Sequence, residues 1–138
     1  MVTENDDINN DKVDIISDDE YERLELAENT NNSLGAANID DRINIGSYEK
    51  INYKIDMNSI IEKRHSGFTI KLGDMKCSGG IKYKVIVEEN SGIIYEKTFY
   101  SDTILKVKSD IHSRYSVIII NLNNKILSGN VKINSYVN

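Results

Sequence analysis

Residues 114–137 read Arg114-Tyr-Ser-Val-Ile-Ile-Ile-Asn-Leu-Asn-Asn-Lys-Ile-Leu-Ser-Gly-Asn-Val-Lys-Ile-Asn-Ser-Tyr-Val137, the most apolar run of the chain. From Tyr115 to Leu122 both alternating sets are apolar or small: Tyr115, Val117 and Ile119 on one, Ile118, Ile120 and Leu122 on the other. A strand of that kind is covered on both sides. Stiff β-branched side chains argue against a helix, and Asn121, Asn123 and Asn124 interrupt the apolar run where a turn is needed. Beyond the turn, Leu127, Val131 and Ile133 share one parity and Lys132, Asn134 and Tyr136 the other, the signature of a half-exposed strand. The two halves are expected to pair as a hairpin, with Gly129 marking a bulge or a close backbone contact.

Working backwards, the same period of two recurs. Ile51, Tyr53 and Ile55 alternate with Lys50, Asn52, Lys54 and Asp56. Phe68, Ile70 and Leu72 follow a stretch, Met57–Ser66, whose apolar spacing of three and four suggests one helical turn or a crossover. Ile81 to Glu88 and Ile93 to Tyr100 flank the turn signal Glu89-Asn-Ser-Gly92 and should form a hairpin. Thr103, Leu105 and Val107 alternate with Lys106 and Lys108, while Gly73 to Gly80 is a loop by composition. About eight short strands with turns every 8 to 12 residues predict an all-β chain, an antiparallel β-sandwich of jelly-roll or immunoglobulin-like type.

Charge divides the chain unevenly. Up to Asp41 there are thirteen acidic residues against two basic ones, a net charge of −11; from Arg42 onward there are nine against fifteen, net +6, and together these give the chain's −5. Residues 1–41 are too polar to offset the ordering entropy of roughly 1 to 2 kcal/mol per residue and are expected to be a disordered acidic tail or linker, with residues 42–138 forming the sandwich domain. Within that tail Ser17 and Glu20 have capping-box spacing, and Tyr21, Leu24 and Ala27 recur every third residue, so residues 17–28 could form a short helix.

The closing pattern, Tyr115-Ser-Val-Ile-Ile-Ile-Asn followed by Ser128-Gly-Asn-Val-Lys-Ile-Asn-Ser-Tyr136, resembles the final strand pair of small exported β-sandwich proteins of Gram-positive bacteria. That resemblance covers roughly the last 70 residues; it implies secretion or surface display and carries no catalytic residues with it. Abundant isoleucine, asparagine and lysine, with no proline or tryptophan, agrees with an AT-rich bacterial source. No stretch approaches the roughly 20 apolar residues of a membrane span.

Few residues invite chemistry. Cys77, in the glycine-rich loop, would need His65 or His112 beside it and an orienting acceptor such as Asp74 or Asp110 to act as a nucleophile, and the spacing shows no such geometry. One cysteine and two distant histidines do not make a zinc site, the acidic clusters lack the calcium-loop pattern, and phosphate-binding glycine motifs are absent, so no metal or cofactor is expected. The lysines are more informative. Lys82, Lys84, Lys106 and Lys108 fall on outward parities, and if their strands are neighbours one sheet face becomes a basic patch for an anionic surface polymer, a polysaccharide, a protein or the chain's own acidic arm. Tyr100 and Tyr136, on the less apolar sides of their strands, are candidates for stacking on sugar rings. Nucleic acid is not an expected partner, because the whole chain is acidic and no recognition motif accompanies the lysines. The expectation is thus a noncatalytic binding or structural module; the alternative is a small enzyme or enzyme inhibitor acting through loops 73–80 and 109–113.

Overall fold

A computed structural model of the chain describes residues 8–26, 38–57, 65–109 and 112–137. Among them are eleven strands and one short helix: β1 (Ile8–Asn9), β2 (Val13–Ile15), α1 (Asp18–Glu22), β3 (Glu25–Leu26), β4 (Asn38–Ile45), β5 (Lys50–Asp56), β6 (His65–Cys77), β7 (Tyr83–Glu89), β8 (Gly92–Phe99), β9 (Thr103–Lys108), β10 (Arg114–Asn121) and β11 (Leu127–Val137). They form two antiparallel sheets. Sheet one has the order β1-β8-β7-β10-β5; sheet two has β2-β9-β6-β11, with β4 and β3 following one another along the far edge of β11. The all-β sandwich expected from the sequence is the fold observed.

Strands β4 to β11 carry the connectivity of a jelly roll, two Greek keys wound into facing sheets. Their neighbours are β5-β10-β7-β8 in one layer and β4-β11-β6-β9 in the other. The core between the layers is made by inward parities: Tyr83, Val85 and Val87 of β7, Val117 and Ile119 of β10, Phe68, Ile70 and Leu72 of β6, and Val131 and Ile133 of β11 are all essentially inaccessible to solvent. Phe68 and Tyr115 meet edge to face across the layers with ring centroids 5.2 Å apart, and Tyr83 stacks on Phe99 at 5.8 Å.

Three expectations are corrected. The hairpin of residues 114–137 does not form. β10 pairs with β5 and β7, whereas β11 pairs with β4 and β6, so residues 122–126 arch from one sheet to the other. The Gly73 to Gly80 loop is shorter than its composition suggests, because β6 continues to Cys77 against β11. This continuation includes a register shift between Ser128 and Asn130, where Gly129 lets the backbone lie against Met75; a Cβ there would run into the Met75 sulfur. Lastly, residues 8–26 are not a disordered arm. β1 pairs with β8 and β2 with β9, so this segment closes the edges of both sheets on one side, and Val13 is fully buried in the main core. β4 begins at Asn38, which moves the start of the body ahead of Arg42. Residues 1–7, 27–37, 58–64, 110–111 and 138 lie outside the described residues, as does most of the Met57–Ser66 crossover.

The helix expected over residues 17–28 is present in shortened form. Ser17 is the N-cap of α1, and its hydroxyl accepts the Glu20 N–H at 3.1 Å. The helix lies over the outer face of sheet two, where Ile16, Tyr21 and Ile104 form a second apolar cluster with Leu24 and Leu26. The Phe99-to-Tyr83 pairing bears out the β7–β8 hairpin, whose turn residues Asn90 and Ser91 have φ of 50° and 75°.

Candidate functional site

The strand alternation that places the lysines outward also places them on two different sheets. Lys82 and Lys84 belong with β7 in sheet one, Lys106 and Lys108 with β9 in sheet two, so the four point away from each other across the sandwich. The expected common basic face is not formed. Lys84 is paired with Glu96 on the neighbouring strand at 2.9 Å. Lys106 lies 5.2 Å above the ring of Tyr136, and Tyr136 itself is only 2% exposed, which removes it as a sugar platform. Lys108 and Lys82 are exposed.

Lys71, Lys106 and Lys132 share the outer face of sheet two, on the adjacent strands β6, β9 and β11, with Lys71 and Lys132 directly opposite each other, while Lys50, Lys54 and Lys84 share the outer face of sheet one. The outer face of sheet two is covered by the acidic segment. Lys71 sits 4.7 Å over the Tyr21 ring, and Asp14 of β2 is opposite Lys106. Burial, together with the charge of Asp14, raises the pKa of the Tyr136 hydroxyl above its ordinary value.

Cys77 and the histidines are kept apart. Cys77 is opposite Leu127 where β11 begins, while the backbone of His65 is opposite Val137 where β11 ends, and His112 precedes β10 at that same end. Residues 78–82 and Ser113 likewise lie at opposite ends of β10, whose eight residues extend about 25 Å at 3.3 Å each; Asp110 lies outside the described residues. Among the described residues no three His, Cys, Asp or Glu side chains gather as a metal would require.

One end of the sandwich is built differently from the rest of the surface. Here the turns 46–49, 78–82, 100–102 and 122–126 meet, and a buried asparagine ties them together. The Asn121 side-chain amide donates to the carbonyls of Ile45 and Gly46, both at 3.1 Å, and of Lys125 at 2.7 Å, while its oxygen accepts the Asn123 N–H at 2.9 Å. Further links run from Leu122 N to the Lys82 carbonyl (3.0 Å), from Tyr48 N to the Asn123 carbonyl (3.2 Å) and from the Asn123 amide to the Gly80 carbonyl (2.7 Å). The Asp102 carboxylate accepts the N–H groups of Asp74 and Met75 at 3.2 and 3.0 Å, and the Tyr83 hydroxyl donates to the Ser101 carbonyl at 2.7 Å. Burial and the nearby Asp102 charge keep that hydroxyl protonated, so it remains a donor.

Upon this fixed base stand three large exposed side chains, Tyr48 (66%), Tyr100 (65%) and Ile126 (62%). Tyr100 continues β8, Lys82 precedes β7, Leu122 continues β10 and Tyr48 precedes β5, so these backbone positions form a row across the end of sheet one. Three strand spacings of about 4.8 Å put roughly 14 Å between the Tyr48 and Tyr100 backbones, with Lys82 and Leu122 between. Tyr48 has φ of 57°, a region that costs a bulky side chain energy, and its ring contributes little to the core. The sequence reading singled out Tyr100 and Lys82, weighed Tyr48 with the other tyrosines but preferred Tyr136 to it, and missed Asn121 and Ile126. A tyrosine within Gly46-Ser-Tyr-Glu49, between two strands, was the available signal.

No helix among the described residues is long and apolar enough to cross a membrane. Comparison with protein-family models, curated proteins and solved structures found no match to this chain.

Proposed function

We propose that this chain is a noncatalytic binding module of an exported or surface-associated bacterial protein, and that it holds a polysaccharide across the loop end of the sandwich. Tyr48 and Tyr100 supply flat apolar faces for sugar rings, and Lys82 between them pairs with an acidic group on the chain. The observation that carries this reading is the pairing of two exposed tyrosines with a base whose turns are already fixed by hydrogen bonds. Side chains on a preorganised base lose little conformational freedom when a ligand arrives, so even a modest contact area yields measurable affinity. The tyrosine at positive φ agrees with this, since backbone strain at an exposed residue serves no packing need.

Titration with polygalacturonate, as an acidic polysaccharide, and with uncharged dextran tests the proposal. Tyr48→Ala and Tyr100→Ala should each weaken polygalacturonate binding about five- to tenfold, roughly 1 to 1.4 kcal/mol, while leaving the melting temperature near that of the parent. Lys82→Met should lower affinity for polygalacturonate and not for dextran. Equal binding by the parent and both tyrosine variants would overturn the assignment, as would the absence of binding to either polysaccharide by the parent.

A further inference from the structure

We infer that residues 8–26 form an exchangeable clasp, and that the slot they occupy also accepts the same segment from a second copy of this chain. The slot has well-defined parts. It offers the open edges of β8 and β9, a fully buried position for Val13, Glu89 to receive the Lys12 ammonium at 2.6 Å, and an outer face on which Tyr21 lies under Lys71. Acidic Asp14 faces Lys106, so strand pairing, apolar burial and charge all match at once. Every copy of the protein carries the sequence that fits this slot.

The connection between clasp and body points to exchange. Leu26 is opposite Tyr136 and Asn38 is opposite Asn134, on the same edge of β11. Two residues of β11 separate those positions, about 7 Å. Yet eleven residues, 27–37, join them, with an extended reach of about 38 Å. A link of three residues would close the clasp onto its own body; the length present also reaches a neighbouring molecule. The clasp strands are only two, three and two residues long, so the segment belongs to the part of the fold that opens first. Reciprocal exchange fills both slots and gives a closed two-fold dimer.

A tethered segment competes with an effective concentration on the order of millimolar, so exchange should be small at micromolar protein and substantial at about 1 mM. The test uses Val13→Cys and Val107→Cys, which are opposite one another in β2 and β9, with Cys77→Ser. The reduced protein is refolded at about 10 µM or about 1 mM, then oxidised and run on a nonreducing gel. Covalent dimer should rise at least fivefold between the two concentrations. The unsubstituted chain, refolded at the same concentrations and followed by light scattering, should show the same rise without any cysteine. Deleting residues 29–35 leaves four linking residues, enough to span the gap of about 7 Å but too short for a neighbour, and should abolish the dimer. Monomer alone at both concentrations in the unsubstituted chain would overturn the inference, as would an undiminished dimer in the deletion variant.

Discussion

Glu89 is drawn into the protein at the turn between β7 and β8, and its neighbours decide its charge. Partial burial works to raise its pKa, but donation from Lys12, Ser113 (2.7 Å) and Tyr115 (3.1 Å), with the Lys12 charge, outweighs burial and holds the carboxyl below the ordinary glutamate value. A depressed folded-state pKa adds stability above the unfolded value, about 4.3, and that contribution is lost as the pH falls through the folded value. Glu89→Gln should therefore cost about 1.5 to 3 kcal/mol at pH 7, the range for hydrogen bonds to a charged group. Lys12 should contribute least, since its side chain is 41% exposed and screened by solvent. Urea unfolding of both proteins from pH 7 downward checks the sign: the gap should hold to about pH 5 and close below pH 4.3. A gap that widened with acid would mean the carboxyl is destabilising. The identity of Glu89 as a turn residue was readable in the sequence, but its partners were not, because Lys12 is 77 residues away in a segment whose composition predicts disorder.

At the scale of elements, the β7–β8 turn offers the cleanest prediction. Asn90 and Ser91 both have positive φ, the geometry of a two-residue hairpin turn that favours asparagine followed by glycine. Ser91→Gly should thus stabilise the fold by about 0.5 to 1 kcal/mol, read from the urea midpoint at unchanged slope; a loss of stability would mean that the serine side chain supports the turn. This hairpin was legible because its turn signal and its two alternations are local. The β10–β11 pair was misread for the same reason. Asn-rich residues 121–124 announce a change of direction, and nothing in the local pattern distinguishes a turn within one sheet from an arch between two. Asn121 decides the matter by binding the Ile45, Gly46 and Lys125 carbonyls, contacts up to 76 residues away. The lysine parities were likewise read correctly strand by strand, yet which strands become neighbours depends on jelly-roll winding. That winding sent Lys84 and Lys106 to opposite layers and brought Lys71 beside Lys132.

For the molecule as a whole, charge segregation in the sequence becomes a docking relation in space. The acidic segment was read as a tail because it has one tyrosine, no phenylalanine and many Asp, Glu and Asn; Val13, Ile16 and Tyr21 suffice to anchor it because the body supplies strand edges for its backbone as well as an apolar slot. Composition counts the side chains a segment brings and omits the hydrogen bonds waiting for it. If the clasp is a cooperative unit separate from the body, Val13→Ala should cost about 1 to 2.5 kcal/mol for the deleted methyl groups and the cavity left behind. The loss should be local. In hydrogen exchange, amides of residues 8–26 and those of β9 paired with them should exchange about five- to seventyfold faster than in the parent, since each 1.4 kcal/mol is a factor of ten in the opening equilibrium. Amides of β6, β7, β10 and β11 that lie between body strands should keep their rates in the subglobal regime. Equal acceleration throughout the sandwich would show the segment to be part of one global folding unit, making exchange of the clasp inseparable from unfolding of the whole.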